Sequence, residues 1–324
     1  MQEFSLIKNF FKQLSNKKNG LNLADDCAKL SVKLDHDLIV SKDMVCQDIH
    51  FNFSDGPRKI ASKLLRSNLS DIAASGGIPK YYMLGFTKSK KINSDFVKKF
   101  SQELSDIQKQ HKITLIGGDT ISSSSKLFYS VTIFAEIKKG CQMLRSNAKN
   151  NDLIFVTGNI GDSYVGFNLK NKNKFNKNIP SKIKKYFIDR HFSPEININF
   201  CNFVAEKKIS RCAIDISDGI LADLKHICTE SNLGAIIYKE RIPISENLKI
   251  FYKDINYKKL ISFGEDHEII FSVNPKNKKR ILNLAKKLKI KLTYIGVFTN
   301  KSNDLILLDS KNKSIKISKY GYEH

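Results

Sequence analysis

SNLSDIAASGGIP, residues 67–79, carries a helical run (Arg58–Ala74) toward a β-type run (Tyr81–Thr87) and holds one carboxylate, Asp71, but no lysine or arginine. Outward from it the same alternation continues. Asp37–Ser41 (DLIVS), Ile113–Ile116 and Leu127–Ile137 read as strands and Asp95–Gln110 as a helix, which is the pattern of an α/β (α+β) fold. Phe4, Ile7, Phe10, Phe11 and Leu14 recur at three and four residues, predicting an amphipathic N-terminal helix. KKGCQMLRSNAKNND, Lys138–Asp152, interrupts the pattern. Beyond it a strand, Leu153–Thr157, runs into a glycine turn, GNIGDSYVG, that opens a helix. Strands then follow at Cys212–Ile216, Ala235–Tyr238, Glu268–Val273 and Leu292–Phe298, with helices at Ser217–Ser231 and Lys276–Leu288 and an exposed Lys/Asn loop at Lys170–Ser181. A chain of 324 residues fits two domains divided at that break, 1–138 and 139–324.

Fifty-five Lys and Arg against 32 Asp and Glu give a net charge of +23. Most of the excess is Lys scattered among Asn and Ile, as in FNLKNKNKFNKNIPSKIKKYF (Phe167–Phe187). That is compositional drift rather than a basic face with interleaved aromatics, so no nucleic-acid partner is expected. Cys27, Cys46, Cys141, Cys201, Cys212 and Cys228 form no C-x-x-C pair and fit free thiols in a reducing compartment. The start, MQEFSLIKNFFKQL, lacks secretory-signal features, and no apolar run approaches the ~20 residues of a membrane span. A cytoplasmic protein without a membrane partner is expected.

Four windows stay nearly clear of the ubiquitous lysine: Ser67–Pro79, Ile113–Ser125, Asp152–Leu169 and Cys212–Leu224. Carboxylates follow or abut apolar runs in or near them: Asp25 and Asp26, Asp43, Asp71, Asp119, and Asp215 with Asp218. In α/β folds strand ends gather binding groups, and clustered carboxylates there suit Mg²⁺, which takes hard oxygen ligands and keeps water and phosphate in its shell. Taken singly, such an aspartate is more often a turn former or helix cap than a ligand, with Ser217 or Asp218 suited to cap a helix beginning at Gly219 and Asp119 to shape a turn. Their number favours a nucleotide held through metal. No G-x-x-x-x-G-K-[ST] loop occurs, which excludes a P-loop enzyme. His50, beside Phe51, is the one histidine near an acidic motif of the first half and suits a structural or a substrate-facing role.

Read in order, DDCA (Asp25–Ala28), S-x-D (Ser41–Asp43), HF (His50–Phe51), NLSDIAASGGIP (Asn68–Pro79), IGGDT (Ile116–Thr120), Arg145 with Ala148 and Asp152, VTGNIGDS (Val156–Ser163), IDISDG (Ile214–Gly219), GEDHE (Gly264–Glu268) and GYEH (Gly321–His324) resemble the thiamine-monophosphate kinase family. The resemblance implies a two-domain PurM-like fold: an N-terminal ATP- and Mg-binding domain that pairs its sheet across a homodimer, and a C-terminal α/β domain that completes the active site. It implies direct transfer of the γ-phosphoryl group of ATP to thiamine monophosphate, with several Mg²⁺ ions per site. Asp26, Ser41, Lys42, Asp43, Asp71, Asp119, Asp215 and Asp218 would hold the metals, with Asp71, Asp119 and Asp218 the catalytic set. Gly118, Asp119, Arg145 and Ser217 would contact ATP, and His50, Glu265 and Tyr322 would face thiamine monophosphate.

Ala24 and Lys42 depart from the family pattern, which has glycine and a small polar residue there. If position 42 offers only its backbone carbonyl the ammonium can point away; otherwise its charge competes with a cation. The alternatives are another ATP-dependent enzyme of the superfamily, of the aminoimidazole ribonucleotide or selenophosphate synthesis type, and a basic nucleic-acid-binding protein. The position of Cys27 inside the metal motif argues against selenophosphate chemistry.

Overall fold

The computed structural model describes residues 3–170, 179–249, 255–302 and 304–322. It divides into two units, Met1–Ile72 with Gly77–Lys139, and Ala73–Gly76 with Gly140–His324.

The first unit is a four-stranded sheet of β1 (His36–Cys46), β2 (Ile78–Lys88), β3 (Thr114–Ser122) and β4 (Phe128–Lys138), in the order β1-β4-β2-β3. Only β2–β3 is parallel. Helices α1 (Glu3–Leu6), α2 (Pro57–Ser75) and α3 (Ser94–His111) accompany it. Strand alternation turns Tyr129, Val131, Ile133, Ala135 and Ile137 of β4 inward, all buried, together with Tyr82, Leu84 and Phe86 of β2. Phe100 of α3 closes on this face, its ring 5.3 Å from Phe86 and 5.1 Å from Tyr129. The opposite face is open: Val40, Met44, Ile121 and Phe128 are 54%, 56%, 53% and 40% exposed.

The N-terminal periodicity gives helix of mixed pitch. α1 passes into a π turn (Ile7–Phe11) and a 3₁₀ turn (Lys12–Leu14). This rotates the apolar face, so that Leu6, Phe11 and Leu14 are buried while Phe4 is exposed.

The second unit holds a six-stranded sheet, in the order β10-β7-β9-β5-β8-β6, from β5 (Leu153–Thr157), β6 (Ser210–Asp215), β7 (Gly234–Tyr238), β8 (Ile269–Val273), β9 (Leu292–Thr299) and β10 (Leu305–Leu308). All pairings are antiparallel except β7–β10. Its helices are α4 (Asp162–Lys170), α5 (Ser181–Phe192), α6 (Ile198–Glu206), α7 (Ile220–Ser231), α8 (Glu246–Lys249), α9 (Tyr257–Ile261) and α10 (Lys278–Lys287). Val165 of α4 and Leu221, Leu224 and Ile227 of α7 share one buried cluster with Ile154, Val156, Ile214 and Ile237 of the sheet. Of the expected Lys/Asn loop, 171–178 lie outside the described residues. Among the described residues, no helix is long and apolar enough to cross a membrane.

Candidate functional site

In the first unit, β1 and β3 run further than their apolar runs suggest. Asp43 and Asp119 therefore lie within strands rather than beyond their ends, and Asp119 is not in a turn. β1 stays paired with β4 through Cys46↔Phe128, and β3 with β2 through Lys88↔Ser122. Ser41 and Asp43 alternate with Lys42, so they meet α2 while Lys42 does not. Ser41 Oγ donates to Asp71 Oδ2 at 2.5 Å, and the Asp43 amide donates to Asn68 Oδ1 at 3.1 Å. Asn68 is itself held by donating from Nδ2 to the Leu64 carbonyl. Lys42 points to the open face, its Nζ 3.4 Å from Ser130 Oγ and 3.5 Å from Thr132 Oγ1. The ammonium thus turns away from Ser41 and Asp71, and the backbone carbonyl is what position 42 could offer a metal.

Asp119 lines a groove of about 410 Å³ on that same open face, with Lys42, Met44, Gly85 and Ser130. Its Oδ1 accepts from the Thr120 amide. It is thus separated from the Ser41–Asp71 pair by the thickness of the sheet. Beside it, a Cβ at Gly118 would come within 2.0 Å of the Leu84 carbonyl oxygen, so close strand packing alone demands glycine there. His50 ends a turn after β1, where its Nδ1 accepts from the Cys46 amide at 3.0 Å. Asp26 is exposed, just beyond a left-handed turn at Leu21, Asn22 and Leu23.

In the second unit three distant stretches converge. Glu265 N donates to Ser217 O and His267 N to Ile216 O, each at 2.8 Å, zipping Gly264–Glu268 onto the end of β6. Tyr322 N donates to Asp218 O at 2.9 Å. Ser217, Asp218, Glu265 and Tyr322 thereby gather at the N-terminal end of α7. Asp215, buried at the end of β6, has His267 Nδ1 3.5 Å from its Oδ2. Neither Ser217 nor Asp218 caps the helix, which begins at Ile220. Asp223 Oδ2 reaches back instead, accepting from the Asp218 and Gly219 amides at 3.0 and 3.1 Å. Burial first, then the charge of Asp215, pushes the Asp223 carboxyl up to about 8. Asp218, Asp223 and His226 form a group whose ligand atoms lie within 4.8 Å of one another. Asp223 and His226 escaped the sequence reading, although their i, i+3 spacing puts both on one face of α7. Arg145 is exposed at the other end of that helix, its carbonyl accepting from Ser231 Oγ at 2.7 Å.

Behind the convergence lies a buried acidic layer. Asp266 accepts from the Gly161 and Ser163 amides at the start of α4, at 2.8 and 3.3 Å. Asp162 accepts from Tyr186 and Ser245 hydroxyls, both at 2.6 Å. Glu268 accepts from Thr157 Oγ1 at 2.7 Å and Arg190 Nη2 at 2.6 Å. Burial pushes the Asp266 carboxyl up to about 8 and raises Asp162 and Glu268 as well. The folded protein thus keeps a proton on Asp266 that the unfolded chain, with an aspartate near pKa ~3.9, releases. The stability this group contributes is complete below about pH 4 and is lost as pH rises through about 8. Urea unfolding between about pH 5 and about pH 8 should therefore show stability falling by up to ~1.4 kcal/mol per pH unit from this group, a component absent in Asp266→Asn. An identical pH slope in the variant would refute it.

The chain matches two family models in succession: AIR synthase related protein, N-terminal domain, over residues 24–137, and AIR synthase related protein, C-terminal domain, over 149–307. It is 37% identical over 325 residues to the thiamine-monophosphate kinase of Buchnera aphidicola subsp. Schizaphis graminum, covering 99% of this chain and 98% of that one. The crystal structure of thiamine-monophosphate kinase from Stenotrophomonas maltophilia K279a aligns with a TM-score of 0.84 at 27% identity, over 95% of this chain and 96% of its own. A ThiL protein solved with AMPPCP and TMP aligns with a TM-score of 0.77 at 25% identity, over 99% and 97%. These neighbours have the PurM-like fold expected from the motifs.

Proposed function

Since the chain belongs to the AIR synthase related family, and within it to the thiamine-monophosphate kinases, we propose that this phosphotransferase converts thiamine monophosphate and ATP to thiamine diphosphate and ADP. The observation that carries this reading is the match, over nearly the whole chain, to a ThiL protein bound to AMPPCP and TMP. A phosphate oxygen of thiamine monophosphate attacks the γ-phosphorus, a new P–O bond forms, and the bond to the β-bridging oxygen breaks, its electron pair leaving on ADP. The attacking oxygen is already anionic near neutral pH, so no general base is required.

The donor set fits Mg²⁺. Ser41, Asp43 and Asp71 offer hard oxygens around one helix–strand contact, as do Asp215 and Asp218 at the end of β6, and the cation of Lys42 is turned to the other face. When bound, the ions would neutralise charge between two polyanions and orient them. The protein's own part is to position the reactants: Ser217 and Asp218 stand at the opening of α7, with Glu265 and Tyr322 beside them for thiamine monophosphate. Gly118, Asp119 and Arg145, the last at the other end of α7, enter the ATP-binding set, and His50 the acceptor-binding set, by family likeness alone. Asp26 enters the metal-binding set by family likeness alone. The open face of the first unit's sheet, with Val40, Met44, Ile121 and Phe128 exposed, supports a homodimer that pairs these sheets.

Incubation with ATP, Mg²⁺ and thiamine monophosphate should yield thiamine diphosphate and ADP in equal amounts. Release of AMP, or no turnover, would sink the assignment.

A further inference from the structure

Gly264–Glu268 is two-sided. Glu265 and His267 face the end of β6, where His267 Nε2 stands 4.0 Å from Glu265 Oε2 and Nδ1 3.5 Å from Asp215 Oδ2. Asp266 and Glu268 point the other way, into the layer under the Thr157–Ser163 turn. The pair facing β6 is held in a backbone conformation that side-chain-bearing residues rarely adopt, with φ of +67° at Glu265 and +51° at His267. Such residues persist only where neighbouring structure over-determines them. Glu268 is the firmest of the inward anchors. One oxygen takes Thr157 Oγ1 and the other Arg190 Nη2, while Thr157 Oγ1 also accepts the Ile269 amide at 2.8 Å. The carboxylate occupies the space over Gly158, where a Cβ would lie 1.9 Å from Glu268 Oε1.

We propose that Glu268, clamped between Thr157 and Arg190, is a positioning residue that aims Glu265 and so sets the affinity for the phosphate-bearing acceptor. The inference rests on the kinase reading above and deepens it. With the clamp loosened, the left-handed pair relaxes, the Glu265 carboxylate swings out of register with Ser217 and Tyr322, and acceptor binding weakens. ATP binding changes far less, since of the residues assigned to ATP only Ser217 meets this loop, and it does so through its backbone carbonyl.

The test is steady-state kinetics on the full chain with ATP, Mg²⁺ and thiamine monophosphate, with melting temperature measured alongside. Glu268→Ala should raise KM for thiamine monophosphate roughly tenfold or more, with KM for ATP within about twofold of wild type. Glu268→Gln, which keeps an acceptor for Thr157, should recover part of the shift. Thr157→Val should move the same constant in the same direction and, combined with Glu268→Ala, add little. If Glu268→Ala does not fold, Glu268→Gln and Thr157→Val decide. Variants that melt earlier but keep both KM values, or that raise both together, overturn the proposal. A wild-type protein that makes no thiamine diphosphate fails the kinase reading itself, whereas active wild type with unmoved variants fails only the clamp.

Discussion

Asp71→Asn is expected to lower turnover of ATP and thiamine monophosphate by about 10³-fold or more while leaving the fold intact. Asp71 sits on α2, three residues beyond Asn68, so the two side chains share one face and meet β1 at Ser41 and Asp43. Asparagine has nearly the same volume and keeps an oxygen for the Ser41 hydroxyl, so packing and this hydrogen bond survive. What disappears is a negative charge. Phosphoryl transfer between two anions depends on cations held between them, so the whole effect should fall on kcat and on the Mg²⁺ dependence of the rate. Urea midpoint and kcat measured on the same preparation separate the two. Near-wild-type turnover would remove Asp71 from the metal-binding set.

Local patterning announced most of the elements on which these residues stand. Leu153–Thr157 emerged with the bounds expected, and α2 and α3 within a residue of them. β1 and β3 were foreshortened because Lys42 and the Gly117–Gly118 pair end their apolar runs. The strands continue for a reason that lies outside the runs: pairing with β4 and β2 satisfies the backbone whatever the side chains are. That single effect decides the face on which Asp119 stands. Arg190 was missed because α5 follows a Lys/Asn-rich stretch and has only a weak apolar stripe. The buried acidic layer was also hidden. Asp162, Asp266 and Glu268 were visible within motifs, but nothing in spacing distinguishes a carboxylate that supports a loop from one that meets a ligand. The convergence of Ser217, Glu265 and Tyr322 spans more than a hundred residues of chain, so only the ordered family motifs pointed to it before the fold did.

Gly264→Ala tests that convergence directly. A Cβ at Gly264 would lie 1.8 Å from Ser217 O, 2.6 Å from Ser217 C and 2.8 Å from Asp218 Cα. All three are backbone atoms, so no rotamer change relieves the contact. Either the Ser217–Asp218 turn or the Gly264–Glu268 loop must move, and the bonds from Glu265 N to Ser217 O and His267 N to Ile216 O move with it. Two backbone hydrogen bonds at about 1 kcal/mol each, plus about 1–3 kcal/mol of overpacking, put the loss near ~3 kcal/mol or above. Gly140→Ala is the control, because Gly140 also has a positive φ, +69°, but nothing lies within 4 Å of its added Cβ. It should cost only about 1 kcal/mol of backbone strain. The expected result is a melting temperature lower by about 5 °C or more for Gly264→Ala than for Gly140→Ala. Turnover should fall further than the folded fraction, since the displaced segment carries Glu265. If the two alanine variants melt together and Gly264→Ala keeps wild-type kinetics, the close approach of the loop to the turn before α7 is not what shapes the site.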